Sequence, residues 1–219
     1  MSDAIPPIVD RATWQAALDE LLTREKAHTR EGDVFEGRSQ LLAYFHMWHH
    51  GKDAAGQCEG CTFSTAQVTE LGYLHMRDVT YATFCEGPYP ESSRYRDFMG
   101  WTHPWYSVPE HSYPALLAGR HFGILASYLR VGDRVFETSW TTGRGNEVMA
   151  PTWGLLDRTV YGRQEDWEDS PEGWPKRFGT HGDQMRRDGR PTAQWTRIAL
   201  GADDDLGPAS SDAGHHHHH

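Results

Sequence analysis

The chain has 219 residues, ends in a five-histidine expression tag (His215 to His219) that is set aside, and carries 31 Asp and Glu against 21 Lys and Arg, a net charge of −10. Phosphate backbones and anionic lipid repel so acidic a chain, which argues against nucleic-acid and membrane-surface partners. No apolar run approaches the ~20 residues of a membrane span, and the N-terminal MSDAIPPIVDR lacks the charged start and apolar stretch of a secretory signal, so a cytoplasmic protein is expected.

Residues 1–9 and 201–213 are rich in Pro, Asp, Ser and Gly and are expected to be mobile ends. Residues 10–200 are expected to form one domain, with 201–219 a disordered tail that includes the tag. Within it, residues 11–29 read as an amphipathic helix: Trp14, Leu18, Leu21 and Leu22 share one face and Asp10 is its N-cap. A short extended piece, Val34 to Glu36, follows and is broken by Gly37. Leu41 to Trp48 is a continuous apolar run of strand length, the pattern of a central strand covered on both faces. It opens into the polar loop HHGKDAAGQ, which leads to Cys58.

From Cys61 the pattern turns helical, since Cys61, Ser64, Val68 and Leu71 are three and four apart. Val79 to Cys85 reads as the next strand, Glu91 to Met99 as a helix ended by Gly100, and Trp105 to Val108 as a short strand. Phe122 to Leu129 and Val135 to Trp140 flank Arg130 to Arg134, which reads as a hairpin turn. A last helix is expected from Asn146 to Leu156 despite Pro151, and the Trp-, Gly- and Pro-rich remainder is expected to wrap the surface. Strands alternating with helices predict an α/β domain whose sheet has a parallel core and an antiparallel edge.

The chemistry centres on Cys58-Glu59-Gly60-Cys61. A Cys-x-x-Cys pair in a reducing compartment is redox-active or metal-binding more often than structural. Cys58 falls where a helix begins, and unpaired backbone N–H groups there favour the thiolate, the nucleophilic form. Cys61, one turn on, faces inward and is placed to resolve a mixed disulfide. Glu59 opposes the thiolate, which predicts a modest reductant or a metal site rather than a strong oxidant.

The segments FEGRSQLLAYFHM, CEGC with its helix, HMRDVT and MGWTHPW, together with REKAHTR and VGDRVFETSWTTGRG, resemble a family of predicted dithiol-disulfide oxidoreductases whose physiological role is uncharacterised. The resemblance spans about residues 8 to 165. It implies a thioredoxin-like fold, a central mixed sheet flanked by helices, here with an N-terminal helix extension and a C-terminal tail. It implies an oxidoreductase with Cys58 and Cys61 as its reactive pair, no required cofactor, and a small-molecule or protein thiol or disulfide as substrate. A homodimer is left open. The sequence departs from the family pattern at His49 and His50, at His103 before Pro104, and at Cys85.

Those departures support an alternative. His46, His49, His50, Cys58 and Cys61 fall within sixteen residues, and all five are expected at the carboxyl edge of the sheet, where open α/β sheets bind ligands. His121 lies just before the hairpin, in a Gly119-Arg120-His121-Phe122 stretch that lacks the proline usual there, and His103 is a further candidate. Thiolate and imidazole suit zinc or copper, so the second reading is a metalloprotein, a copper-dependent oxidase or a copper carrier, with ligands from these seven residues. The bland readings stand beside it: His46 as a core residue, His49 and His50 as solvated, His75 as a helix-end cation, Cys85 as a small buried residue, and Arg144 as a surface arginine.

Overall fold

A computed structural model describes residues 33–179 and 185–207. The expected helix over 11–29 and the termini at 1–9 and 208–219 lie outside the described residues. The architecture is a mixed α/β layer: a five-stranded sheet in the order β3-β2-β1-β4-β5, flanked by helices. The strands are β1 (Gln40–His46), β2 (Val79–Cys85), β3 (Trp105–Ser107), β4 (Ile124–Val131) and β5 (Arg134–Thr142). The first three run parallel, and β4 and β5 are antiparallel additions beyond β1. Among the described residues no helix is long and apolar enough to cross a membrane.

Strand alternation explains why the 41–48 run is apolar throughout. Leu41, Ala43 and Phe45 enter one core with Phe84, Ile124 and Ala126. Tyr44 points to the other face, where it meets Cys61, Tyr81 and Met149. Ala43 sits between Ala82 and Ala126 across the central three strands. A third cluster, rich in aromatics, joins Trp48, Tyr95, Phe98, Trp101 and Trp105.

The cysteine motif lies on α1 (Glu59–Thr65), which follows β1 through the expected loop. The helix is shorter than its apolar spacing suggests. It ends at Thr65, before β-branched Val68 and Thr69, and a separate turn, α2 (Gly72–His75), follows. Val68 and Leu71 still pack against the Cys61 cluster from the broken segment. The next helix, α3 (Tyr89–Met99), closes on Gly100 in the left-handed region, φ 68°. A short helix α4 (Tyr113–Leu117) precedes β4.

Three local expectations are corrected. Val34 to Glu36 is a turn, because the Asp33 carboxylate accepts the N–H groups of Phe35 at 3.1 Å and Gly37 at 3.0 Å. The hairpin turn is narrower than residues 130–134: β4 runs to Val131, β5 restarts at Arg134, and Gly132 takes φ 62°. The Asn146–Leu156 helix is two elements, a 3₁₀ stretch Gly143–Met149 and α5 (Pro151–Leu156). Ala150 breaks them apart and Pro151 occupies the first turn, where its missing N–H costs nothing.

The C-terminal part does more than wrap the surface. A two-stranded ribbon, β6 (Arg186–Arg187) and β7 (Arg190–Pro191), leads into α6 (Thr192–Ala199). The fully buried Gln194 of α6 donates to Ala54 O at 2.7 Å and to the Tyr95 hydroxyl at 2.8 Å. Leu206, in the stretch expected to be a mobile end, is buried with the aromatic cluster.

Candidate functional site

Cys58 caps α1, and its sulfur accepts the Cys61 N–H at 3.5 Å. The Cys58 carbonyl in turn accepts from Thr62 N–H at 3.0 Å and Thr62 Oγ1 at 2.8 Å, which pins the first turn. All three cysteines are free thiols, Cys58 half-buried and Cys61 and Cys85 buried. The Cys58 thiol is pulled from 9.0 down to about 6, first by the hydrogen bond from the Cys61 side chain. Burial opposes this, while the Cys61 and Gly60 N–H groups and the charge of His49 assist. Cys61 moves the opposite way, its proton held by the hydrogen bond to Cys58 and by burial. Tyr44 hydrogen-bonds to the Cys61 sulfur, and Met47 N–H donates to it at 3.4 Å. The result is a directed chain, Tyr44 to Cys61 to Cys58, that ends on the accessible sulfur.

Glu59 is 7% exposed and opposes a thiolate one residue away. Its carboxylate meets the guanidinium of Arg186, Nε to Oε2 3.3 Å. Arg186 also donates to Ala55 O at 2.7 Å and Gln57 O at 2.8 Å, so it balances Glu59 and fastens the loop before Cys58. The sequence offers no signal for this partner, because Arg186 sits far along the chain in an ordinary charged stretch.

The histidines divide. His46, at the end of β1, is fully buried among the rings of Tyr44, Tyr95, Trp101 and Trp105. Its Nδ1 lies 2.8 Å from Met47 O, its Nε2 has no hydrogen-bond partner, and burial lowers its pKa to about 3. His103 is buried too, with Nε2 2.9 Å from Thr83 Oγ1, and burial with the nearby Arg96 charge lowers it to about 4. His49 is exposed and holds the loop through Nδ1 to Gly56 O at 2.9 Å. His50 and His121 are exposed. The structure thus joins Cys58, Cys61 and the charge of His49. Among the described residues no group of three or more His, Cys, Asp or Glu side chains is arranged to hold a metal ion.

A cleft of about 580 Å³ opens beside the cysteine pair. Tyr44, Met47, Phe63, Trp153 and Trp167 form its apolar walls. Phe63 and Trp153 pack ring to ring at 5.3 Å between centroids, and Arg144 lies over the Trp167 ring at 4.2 Å. Sequence reasoning missed Phe63, Trp153 and Trp167, since aromatic residues read as core until the elements that carry them are placed.

A mixed α/β domain with a free dithiol at the start of a helix, one sulfur lowered toward the thiolate and the other kept protonated, is the class that fold and site define. The chain belongs to the family described as bacterial protein of unknown function (DUF899), which matches residues 31–187. Comparison with curated proteins and with solved structures finds no match.

Proposed function

We propose that this protein is a thioredoxin-like dithiol–disulfide oxidoreductase, with Cys58 as nucleophile and Cys61 as resolving thiol. The carrying observation is the opposed titration of two thiols three residues apart: Cys58 down to about 6, Cys61 raised. At neutral pH Cys58 is largely thiolate, while Cys61 keeps its proton until the mixed disulfide forms. The strand order supports the fold reading, because the parallel β1–β2 pair meets the antiparallel β4–β5 hairpin at β1 and the motif follows that central strand.

The test is thiol exchange by tag-free protein. Cys58→Ser should abolish turnover, and Cys61→Ser should accumulate mixed disulfides on Cys58, read by intact mass. Equal residual turnover in both variants rules the reading out. Stoichiometric copper or zinc on tag-free protein, lost in Cys58→Ser, would favour the metalloprotein instead.

A further inference from the structure

We infer that the substrate is a small, uncharged organic disulfide with an aromatic or branched apolar group, held in the cleft beside Cys58. The inference rests on the thiol-exchange reading and adds the substrate class. Three observations carry it. The cleft volume of about 580 Å³ falls within the range of small-molecule sites, roughly 300–1,000 Å³, and its walls are apolar and aromatic.

Next, the charges around the cleft are engaged with one another. Glu147 is bound by both terminal nitrogens of Arg163, at 2.8 and 3.0 Å. Arg144 stacks on Trp167 and lies 3.7 Å from Glu147, and Glu165 accepts from the Trp167 indole. Two carboxylates, Glu147 and Glu165, line the cleft against one arginine, Arg144, so an anionic disulfide gains no net attraction there.

The third observation concerns main-chain docking. An extended polypeptide can be recognised by pairing its backbone with free main-chain groups at a sheet edge. Gly123 lines the cleft just before β4, and its own groups are taken. Its N–H donates to Phe45 O at 2.7 Å, and its carbonyl accepts Asn146 Nδ2 at 2.6 Å and Thr142 Oγ1 at 3.0 Å. An extended peptide finds no ladder there, whereas a compact apolar molecule needs none.

The exchange balances without a further cofactor. The Cys58 thiolate attacks one substrate sulfur; a Cys58–substrate S–S bond forms, the substrate S–S bond breaks, and the leaving thiolate takes a proton from solvent. Cys61 then attacks the Cys58 sulfur, and its proton passes to the second leaving thiolate. The substrate gains two electrons, the pair becomes a disulfide, and an external dithiol restores it.

Reduced protein is mixed, under single-turnover conditions, with three probes: the mixed disulfide of benzyl mercaptan and 2-mercaptoethanol, glutathione disulfide, and a linear peptide with one cystine bridge. Each rate is divided by that of free dithiothreitol with the same probe. The benzyl probe should exceed both others by at least ~10-fold, about 1.4 kcal/mol of discrimination. Phe63→Ala at a half-buried position and Trp167→Ala at an exposed one should each bring the ratio toward one. Equal ratios for the three probes in the unaltered protein, a faster peptide or glutathione disulfide, or a benzyl ratio indifferent to both substitutions overturns the inference. If no probe converts the Cys58–Cys61 pair to a disulfide at all, the thiol-exchange reading itself fails.

Discussion

Three cysteines in one chain carry three different reactivities, and each follows from what surrounds the sulfur. Cys58 receives hydrogen bonds, Cys61 donates one to Cys58 and keeps its proton, and Cys85 is sealed at 0% exposure with its thiol pushed up by burial. Alkylation at pH 7 should therefore label Cys58 fast, Cys61 slowly and Cys85 only after denaturation. The Cys58 rate should be half-maximal near pH 6 and fall about tenfold per unit below it, as the thiolate is lost. Peptide mapping across pH 4–9 checks this, and a midpoint above 8 contradicts it. The Glu59–Arg186 pair makes a second residue-level prediction. Arg186→Met leaves Glu59 unbalanced and should raise the Cys58 midpoint; Glu59→Gln leaves the cation unbalanced and should lower it. The double variant should return close to the starting value. A role in loop anchoring alone would show no such cancellation in the alkylation profile.

At the scale of elements, β1 was readable because both its faces are covered, which writes an apolar run into the sequence, and β2 because β-branched and aromatic residues fill it, buried Thr80 and Thr83 included. The placement of the cysteine pair was readable from β1, as a loop must leave that strand before a helix begins. What stayed hidden depends on partners distant in the chain or on single side-chain caps. Asp33 turns an apparent strand into a turn, Arg186 reaches the motif from β6, and Trp153 and Trp167 become cleft walls only once the segment after β5 is laid down. Tight junctions offer a direct test. Gly87 lies where β2 gives way to α3, and an added Cβ would fall 2.4 Å from Trp48 Cγ. Gly87→Ala should cost about 1–3 kcal/mol in chemical denaturation, as overpacking commonly does. Gln194→Ala should cost about 1–2 kcal/mol by removing two buried hydrogen bonds, although the Ala54 carbonyl keeps the Gln57 N–H and the Tyr95 hydroxyl keeps Thr62.

For the whole molecule, the buried imidazoles link folding to acidity. His46 and His103 titrate at about 3 and about 4 in the folded chain, against an ordinary 6.5. Between those values the unfolded chain binds more protons, so stability is fully present above pH ~6.5 and is lost as the pH falls toward 4. Each histidine contributes a slope of at most ~1.4 kcal/mol per pH unit. Denaturant midpoints measured from pH 8 to pH 4 should fall mainly below 6.5, and a flat profile there would show that these two groups are not neutral in the folded state.

The strap formed by β6, β7 and α6 also sets an order in time. The loop that presents Cys58 is tied down through Ala54, Ala55 and Gln57 by Arg186 and Gln194. Synthesis proceeds from the N-terminus, so the ribosome releases the thiols well before it releases the residues that secure them. A half-made chain carries Cys58 on an untethered loop, with Glu59 lacking its counter-charge. The surroundings of the activated sulfur are thus completed only once Arg186 and Gln194 have been made, well after the thiols themselves.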